Sequence, residues 1–347
     1  MHDGAAHPGE PALTGVGRSG PAPGDGAAHP GEPVLTRLSR LAPGQAEAVT
    51  HLAQAVTAAD GYEAFSEQML LNLTDDHREV THLLLTAPAG SGTAGTVAPT
   101  LPGTTPDQGD AQGEASSAVD LLGYAQIDGG AAELAIHPDH RRRGLGRRLV
   151  TAVLTEPQVR LWAHGELPAA AALAEQLDLV RVRDLWLMSA PPPAEPPQVP
   201  TRTDIHVRTF TTGQDEDAWL AVNARAFADH PEQGRLTRAD LDARMAQPWF
   251  DPSMFFLAEE VSSRRLLGSL WVKIEGTVGE IYALGVHPDA QGRGVGGLLT
   301  AHAMAALAGA GLDRLELYVE GENTAAIRTY TRVGFAKERA DVQYARR

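Results

Sequence analysis

The spacing of hydrophobic residues alternates between helical and strand periods along the chain, and each change of period marks a predicted element. In the first half, the predicted helices are residues 46–60 and 62–73, and a further helix starts over residues 146–154. The predicted strands of that half are residues 81–86, 121–127 and 133–136. The second half has predicted strands at 207–210, 254–259, 266–274, 279–286 and 314–319, and helices at 215–227, 238–247, 296–310 and 324–333. This order predicts an α/β (α+β) fold, with helices flanking a mixed, mostly antiparallel sheet in each half.

One short phrase occurs in both halves of the chain. Residues Ile136–Gly146 recur as Val286–Gly296, and Gly144 and Gly294 lie 150 positions apart. Each copy runs from a strand through His-Pro-Asp into a glycine-rich turn and a helix. Because that separation is the length of one domain, the sequence predicts two copies of one fold.

Gly- and Pro-rich stretches set the predicted domain boundaries. The segment Asp3–Pro11 returns almost verbatim as Asp25–Pro33, and such a composition cannot bury a core, so residues 1–42 are predicted to be a disordered tail. A low-complexity stretch at 88–118 is predicted to be a surface loop. The remaining boundaries are an N-terminal domain at 43–188, a Pro-rich linker at 189–203 and a C-terminal domain at 204–347.

The composition excludes several classes of function. The chain has no cysteine, which excludes disulfides, cysteine-ligated metals and a cysteine nucleophile, and no metal is expected. A net charge of −15 argues against nucleic acid or an anionic membrane as a partner. No apolar run approaches the ~20 residues that span a bilayer, and no signal peptide is evident, so we expect a cytoplasmic enzyme. The repeated turns are nevertheless basic, at Arg141–Arg143 and Arg293, which indicates a small anionic ligand.

The glycine turn has the chemistry of a phosphate cradle. Glycines allow a left-handed backbone and close approach, while the first N–H groups of the following helix point at one spot. A cluster of solvated arginines is the ordinary alternative for a single copy. Gly292, Gly294 and Gly297 also satisfy the dinucleotide pattern G-x-G-x-x-G. That interpretation is disfavoured because the turn comes late in its domain and no acidic ribose ligand follows in a βαβ unit.

Two motifs together resemble the GCN5-related N-acetyltransferases (GNAT). Gln291–Gly296 and Arg141–Gly146 are similar to the Q/R-x-x-G-x-G/A turn that cradles the pyrophosphate of acetyl-CoA in that superfamily. Asn323–Tyr330, followed by Gly334-Phe335, resembles its N-x-x-A-x-x-x-Y-x-x-x-G-F segment. The resemblance implies two tandem GNAT folds and acetyl-CoA as the co-substrate.

The two copies differ where the chemistry of acetyl transfer requires an acid and a base. Alignment of the copies sets Leu167 against Asn323, Ala174 against Tyr330 and Gly130 against Glu280. The N-terminal copy is therefore predicted to bind acetyl-CoA without turnover.

The C-terminal copy retains both candidates for the chemistry. Glu280 is predicted to deprotonate the acceptor amine, and Tyr330 to donate a proton to the leaving thiolate. Strand alternation predicts Glu280, Tyr282 and Leu284 on one face, with Glu280 about 20 Å from Val286. A strand-face ion pair for Glu280 and a core position for Tyr330 are the alternatives.

Within the superfamily, the chain is similar to the tandem members of mycothiol biosynthesis. The likeness rests on residues 162–165, 226–234, 249–252 and 279–282. It implies that the acceptor is the cysteinyl amine of cysteinyl-glucosaminyl-inositol, and we expect a monomer. The open alternatives are acetylation of another small amine or a peptide N-terminus, and a CoA-sensing protein without turnover.

The same resemblance implies the residues of each site. Acceptor contacts are implied at Glu67, Glu232, Lys273, Glu280 and Tyr318. Acetyl-CoA contacts in the C-terminal copy are implied at Leu284, Gly285, Val286, Gln291, Gly292, Arg293, Gly294, Val295, Gly296, Gly297, Asn323, Thr324, Ala325, Ala326, Ile327 and Arg328. A second CoA site in the N-terminal copy is implied at Leu134, Ala135, Ile136, Arg142, Arg143, Gly144, Leu145, Gly146 and Arg147. Because Glu67 belongs to the first copy, the active site is expected at the interface of the two domains.

Overall fold

Strands and helices alternate in the same order in both halves of the chain. The computed structural model describes residues 32–75, 78–88, 120–228 and 233–347. The strands of these residues are β1 (Val34–Leu38), β2 (Thr81–Thr86), β3 (Leu121–Asp128), β4 (Ala131–Ile136), β5 (Arg160–Ala163), β6 (Leu179–Ala190), β7 (Ile205–Thr209), β8 (Phe255–Glu260), β9 (Leu266–Glu275), β10 (Val278–Val286), β11 (Arg314–Glu320) and β12 (Ala336–Arg346). The helices are α1 (Pro43–Asp60), α2 (Glu67–Leu71), α3 (Leu145–Val153), α4 (Pro168–Gln176), α5 (Glu216–Ala226), α6 (Arg238–Met245), α7 (Val295–Leu307) and α8 (Thr324–Arg332).

All of these strands join one continuous sheet, in the order β1-β2-β3-β4-β5-β12-β6-β11-β10-β9-β8-β7. The last strand of each copy crosses into the other half, because β6 pairs with β11 and β12 pairs with β5. The two crossing strands also pair with each other along most of their length. Only β4–β5 and β10–β11 are parallel, so the predicted mixed, mostly antiparallel sheet is confirmed.

Helices cover both faces of the sheet, and each half has one hydrophobic cluster on each face. On one face, Leu149 of α3 and Leu299 of α7 are fully buried against their half of the sheet. On the other face, Val49 of α1 and Trp219 of α5 are buried against the sheet in the same way. Helical spacing of the apolar residues buries one side of each helix in this way. Within the described ranges, no helix has the length and apolarity that crossing a bilayer requires.

A wedge opens in each half where two parallel strands separate. The register between β10 and β11 ends at Ile281 and Leu317, although β10 continues to Val286 and β11 to Glu320. In the N-terminal half, β4 and β5 are paired only at Ala131 and Ala132 of β4. Each wedge therefore opens toward the end of the strand that leads into a glycine turn.

Two predicted segments of the N-terminal half differ from the structure. Strand β1 lies inside the stretch predicted to be disordered, because its five residues complete the edge of the sheet along β2. The helix predicted at 62–73 is reduced to α2, because Ser66 takes an extended backbone and caps the helix with its side chain. Residues 1–31 and most of the predicted loop at 88–118 lie outside the described residues.

Candidate active site

The repeated phrase forms the same turn in both halves. In the C-terminal half, Gly292 and Gly294 have φ angles of 75° and 78°, and Gly294 is the N-cap of α7. In the N-terminal half, Arg142 and Gly144 have φ angles of 62° and 81°, and Gly144 is the N-cap of α3. Arg142 therefore takes the left-handed conformation that a glycine takes in the other copy, at some cost in backbone strain.

The space above the C-terminal turn is open enough for a phosphate group. A Cβ atom added to Gly292 or Gly297 would meet no atom within 4 Å, and one on Gly294 would meet only the Arg202 guanidinium, at 3.6 Å. The first N–H groups of α7 have no acceptor within the helix, and the helix dipole favours an anion beside them. The turn and the start of α7 therefore fit the pyrophosphate of acetyl-CoA.

The N-terminal turn is similarly open. A Cβ atom on Gly144 would meet no atom within 4 Å, and one on Gly146 would lie 3.5 Å from the Leu173 side chain of α4, much as one on Gly296 would lie 3.6 Å from Val286. Arg147 stands where the other copy has Gly297, and its Nη2 donates to Gln176 Oε1 at 3.1 Å. This cradle keeps the open space at Gly144 but carries more cationic side chains around it.

Strand β10 has a β-bulge that changes which side chains share a face. The pairing with β9 shifts between Ile281 and Ala283, so Tyr282 is the extra residue. Leu284 consequently packs in the core beneath α7, while Tyr282 packs in the cluster beneath α5. The prediction that Glu280, Tyr282 and Leu284 share one face is wrong for Leu284, because strand alternation is interrupted at the bulge.

The bulge also corrects the alignment of the two copies. Glu280 pairs with Lys273 of β9, and the equivalent pair in the N-terminal half is Ala131 with Asp128. Ala131, not Gly130, therefore stands at the position of Glu280. The N-terminal half still has no carboxylate there, so the difference between the copies that the sequence indicated remains.

The start of α8 explains the second motif. Asn323 is the N-cap of α8, and its Oδ1 accepts a hydrogen bond from Ala326 N at 3.1 Å. Leu167 is the N-cap of α4 in the other half and makes no side-chain cap hydrogen bond. Residues Asn323–Arg328 thus form an ordered first turn directly after β11.

Tyr330 packs in the core beneath α7, on the face of the sheet opposite Glu280. The residue is 6% exposed, and its ring meets Phe335 edge to face, with centroids 6.0 Å apart. Burial raises the pKa of Tyr330 to about 12, so its hydroxyl keeps its proton at neutral pH. Ala174 of α4 occupies the equivalent helix position in the N-terminal half, where no such donor exists.

Glu280 lies in a row of charged side chains across three strands. Its cross-strand neighbours are Lys273 on β9 and Glu316 on β11, and paired residues face the same side of a sheet. Burial raises the pKa of Glu280 to about 8; Lys273 opposes this shift, and Glu316, Glu67 and Glu63 add to it. A carboxyl group with this pKa can take up a proton near neutral pH.

Glu67 reaches this row from the first half of the chain. Its Oε2 accepts a hydrogen bond from the Tyr282 hydroxyl at 2.5 Å, and its Oε1 lies 3.4 Å from Lys273 Nζ. Arg244 of α6 donates to the Tyr282 hydroxyl at 2.8 Å and to Gln68 Oε1 at 2.7 Å. The side chains around Glu280 therefore come from both halves, as expected from the sequence.

Tyr318 faces the same side of β11 as Glu316. Its hydroxyl accepts a hydrogen bond from Arg339 Nη2 at 3.3 Å, and burial raises its pKa, an effect that Arg339 opposes and that Asp341 and Glu280 reinforce. The predicted acceptor residue Glu232 lies outside the described residues.

Two carboxylates of the site were missed in the sequence. Glu316 stands two residues before Tyr318 on the same strand, so alternation along β11 was a usable signal for it. Glu63 lies in the irregular segment before α2, where no periodicity marks it. Burial raises the pKa of Glu63, and Lys273 opposes that shift. In the part of the chain that the structure describes, no group of three or more His, Asp or Glu side chains is arranged to hold a metal ion.

Sequence comparison defines the class of protein. The profile of the Acetyltransferase (GNAT) family matches residues 109–176 and 219–335, one region in each half. Members of this family use acetyl-CoA as the co-substrate.

Curated relatives narrow the class. A mycothiol acetyltransferase of Cellulomonas flavigena is 44% identical over 308 residues, which cover 82% of this chain and 81% of the relative. One from Sanguibacter keddieii is 43% identical over 318 residues, covering 85% and 91%. The chain therefore belongs to the mycothiol acetyltransferase family of GNAT acyltransferases.

Solved structures agree with the fold. A GCN5-related N-acetyltransferase from Sphaerobacter thermophilus superposes with a TM-score of 0.60 at 24% identity, covering 89% of this chain and 94% of that one. A tandem GNAT protein from the clavulanic acid biosynthesis pathway gives 0.61 at 16% identity, covering 90% and 98%. The predicted pair of tandem GNAT folds is thus confirmed.

Proposed function

We propose that the protein transfers acetyl from acetyl-CoA to the cysteinyl amine of cysteinyl-glucosaminyl-inositol, the last step of mycothiol biosynthesis. The observation that carries the proposal is the position of Glu280, a carboxyl group with a raised pKa beside the β10–β11 wedge. Glu67 of the other half faces the same pocket. The name of the relatives, mycothiol acetyltransferase, supports acetyl transfer in mycothiol biosynthesis.

Acetyl-CoA has a suitable path from the glycine turn to Glu280. Residues Gln291–Gly297 would hold its pyrophosphate, and the first turn of α8 at Asn323–Arg328 would line the other side. Beyond Ile281, β10 has no β11 partner in the register, so the backbone of Leu284–Val286 is available to the amides of the pantetheine arm. With one residue of β10 taken up by the bulge, Glu280 lies five paired steps from Val286, about 17 Å of strand.

Two groups on opposite faces of the sheet, Glu280 and Tyr330, carry out the proton transfers. A free α-amino group has a pKa of about 7.7–8.0, so part of the acceptor arrives as ammonium. Glu280 takes that proton, directly or through a water, and the neutral nitrogen attacks the thioester carbonyl. The C–S bond then breaks, and the Tyr330 hydroxyl, packed on the other face, donates its proton to the leaving thiolate. The attacking nitrogen loses its second proton to solvent as the amide forms, and Tyr330 regains a proton from solvent. Because the chain has no cysteine, no cysteinyl acyl-enzyme can form. The acetyl group is therefore transferred directly from acetyl-CoA to the amine.

The acceptor is a polyol that carries an amine, and the pocket has matching groups. Carboxylates accept hydrogen bonds from hydroxyl and ammonium groups, which suits Glu67, Glu280 and the predicted contact Glu232. Lys273 and Tyr318 supply hydrogen-bond donors beside them.

The N-terminal half is proposed to hold a second acetyl-CoA without turnover. It keeps the turn at Arg142–Arg147 and the strand end at Leu134–Ile136, but has Ala131 and Ala174 in place of the base and acid. We further propose that the chain acts as a monomer, since both halves of the active site lie in one chain.

The decisive experiment measures acetyl transfer to cysteinyl-glucosaminyl-inositol beside its des-cysteinyl analogue. Because the acceptor has its own thiol, the acetylated product is followed by mass spectrometry instead of a thiol reagent. We expect turnover of the cysteinyl compound and none of the analogue. Preference for a peptide N-terminus or a polyamine in a substrate panel would refute the proposed acceptor, and binding of acetyl-CoA without any turnover would refute the enzyme.

A further inference from the structure

The segment Trp162–Gly165 has no place in the chemistry above, yet its histidine lies in a buried cluster of charges. His164 Nε2 is 3.1 Å from Glu133 Oε2, and His164 Nδ1 is 3.0 Å from Asp341 Oδ2. Both neighbours are carboxylates, so both ring nitrogens donate and the ring is an imidazolium. Burial opposes that charge, but Glu133 and Asp341 outweigh it and raise the pKa of His164 to about 10.

Glu133 connects this histidine to the start of α2. Its Oε1 accepts a hydrogen bond from Ser66 Oγ at 2.5 Å, and its Oε2 accepts one from Ser66 N at 2.7 Å. Ser66 is the N-cap of α2, and Glu67 is the first residue of that helix. The Glu67 carboxylate is the group that contacts Lys273 and Tyr282 in the acceptor pocket.

Asp341 anchors the other end of the cluster. It lies on β12, the strand that crosses from the C-terminal half, and its Oδ1 accepts a hydrogen bond from Gly165 N at 2.8 Å. Gly165 has a φ of 71°, and a Cβ there would lie 2.6 Å from the Tyr62 ring. The backbone that follows His164 is therefore held by the hydrogen bond to Asp341 on one side and by the Tyr62 ring on the other.

Helix α2 needs such an anchor. It has five residues, and a helix of that length has little stability of its own. Hydrogen bonds to an ionised carboxylate are about twice as strong as neutral ones, and the side chains of Glu133 and Asp341 are only 12% and 7% exposed. Ser66 is held to Glu133 by two hydrogen bonds, one from its backbone N–H and one from its hydroxyl.

We propose that Asp341, His164 and Glu133 form a positioning network that fixes the N-terminus of α2 and thereby sets Glu67 against Lys273 and Tyr282. The network acts on acceptor binding through Glu67. This inference rests on the proposed function for the role of Glu67 as an acceptor contact.

The test compares Glu133→Gln with a matched control. The control is Asp215→Asn. Arg208 donates to both Asp215 and Glu259, so this change also removes one of two carboxylates that hold a cation, as Glu133→Gln does for His164. Glu133→Gln is expected to raise the KM for the acceptor about 10-fold, with the KM for acetyl-CoA unchanged. Asp215→Asn is expected to lower Tm without changing the acceptor KM. Equal KM values for wild type and Glu133→Gln would overturn the proposal.

A double-mutant cycle separates positioning from general destabilisation. If the network acts through Glu67, adding Glu133→Gln to Glu67→Gln raises the acceptor KM no further. Multiplicative effects of the two changes would overturn the proposal. Should Glu133→Gln fold poorly, Ser66→Ala provides the same test, and Ser66→Thr, which keeps the hydroxyl, should restore the wild-type KM.

Hydrogen exchange tests the network without any turnover. Peptides covering residues 63–72 of the full chain should exchange faster in Glu133→Gln than in wild type or Asp215→Asn. If the wild-type protein fails to acetylate the proposed acceptor, the proposed function falls while faster exchange still supports the network. Unchanged exchange in this segment would overturn the network whatever the activity.

Discussion

Replacing Glu316 by glutamine should move the pH dependence of acetyl transfer toward lower pH. Glu316 is the cross-strand neighbour of Glu280, and its negative charge is one of the causes that hold the pKa of Glu280 at about 8. The change removes that charge and keeps the shape of the side chain. Glu280 then ionises more easily, because burial and the other carboxylates are the only remaining causes that raise its pKa.

The size of the shift follows from the separation of the two carboxylates. Cross-strand neighbours place such groups about 6 Å apart, where two like charges repel by about 1–3 kcal/mol at effective dielectric constants of roughly 20–55. One pKa unit corresponds to about 1.4 kcal/mol, and partial exposure favours the lower end of the range, so a shift of about one unit is expected. At pH 7 the ionised fraction of Glu280 should rise from about one tenth to about one half.

The assay is the pH profile of kcat/KM for the acceptor, which reports groups of the free enzyme and the free substrate. The amine titrates in the same range, but its pKa is common to every variant, so a difference between profiles belongs to the enzyme. Asp217→Asn is the control, because it removes one negative charge from a side chain that is 91% exposed on α5. A midpoint in Glu316→Gln that is unchanged, or higher than in wild type, would refute the reasoning.

Further predictions concern the chemical groups and the crossed strands. Glu280→Gln should lower kcat by roughly 10²–10⁴, the usual range for a general base, and steady-state kinetics with an unchanged pH profile would contradict the assignment. Tyr330→Phe should lower kcat while the Kd for acetyl-CoA, measured by calorimetry, stays within about twofold, because the ring keeps its packing; a wild-type kcat would exclude the hydroxyl as the proton donor. Residues 32–203 and 204–347 expressed separately should each fail to give a cooperative melting transition, because each half then has its last strand without its partner; two stable monomers would contradict this.

The crossed strands also give the N-terminal half a structural role, although that half lacks the proposed base and acid. Strand β6 completes the sheet beside β11, and β12 carries Asp341 into the N-terminal half. Glu67 is delivered to the pocket from the N-terminal half as well. Absence of the proposed base and acid from the N-terminal copy is therefore compatible with retention of its whole fold.

Much of the fold was predictable from local patterns. The strand at Thr81–Thr86 was predicted without error, and the helices at 238–247, 296–310 and 324–333 within three residues at either end. These elements have a clear apolar period and a recognisable start, such as Gly294 before α7 or Asn323 before α8. The glycine turn and the difference between the copies at Asn323 and Tyr330 are likewise visible as residue types at fixed spacing.

Other features depend on residues that are distant in the chain. The order of residues is enough to indicate two copies of one α/β fold, the repeated glycine turn and the half that carries both Glu280 and Tyr330, because each of these depends on neighbours within one element. Strands β5, β6 and β12 were not predicted, and the exchange of β6 and β12 cannot be deduced from their own residues, since pairing is set by the partner strand. The bulge at Tyr282 and the position of Glu316 beside Glu280 depend on pairing between strands of the C-terminal half. Glu63 and the positioning network from Asp341 to Glu67 arise only when both halves pack together. Burial and charge proximity are properties of the folded chain.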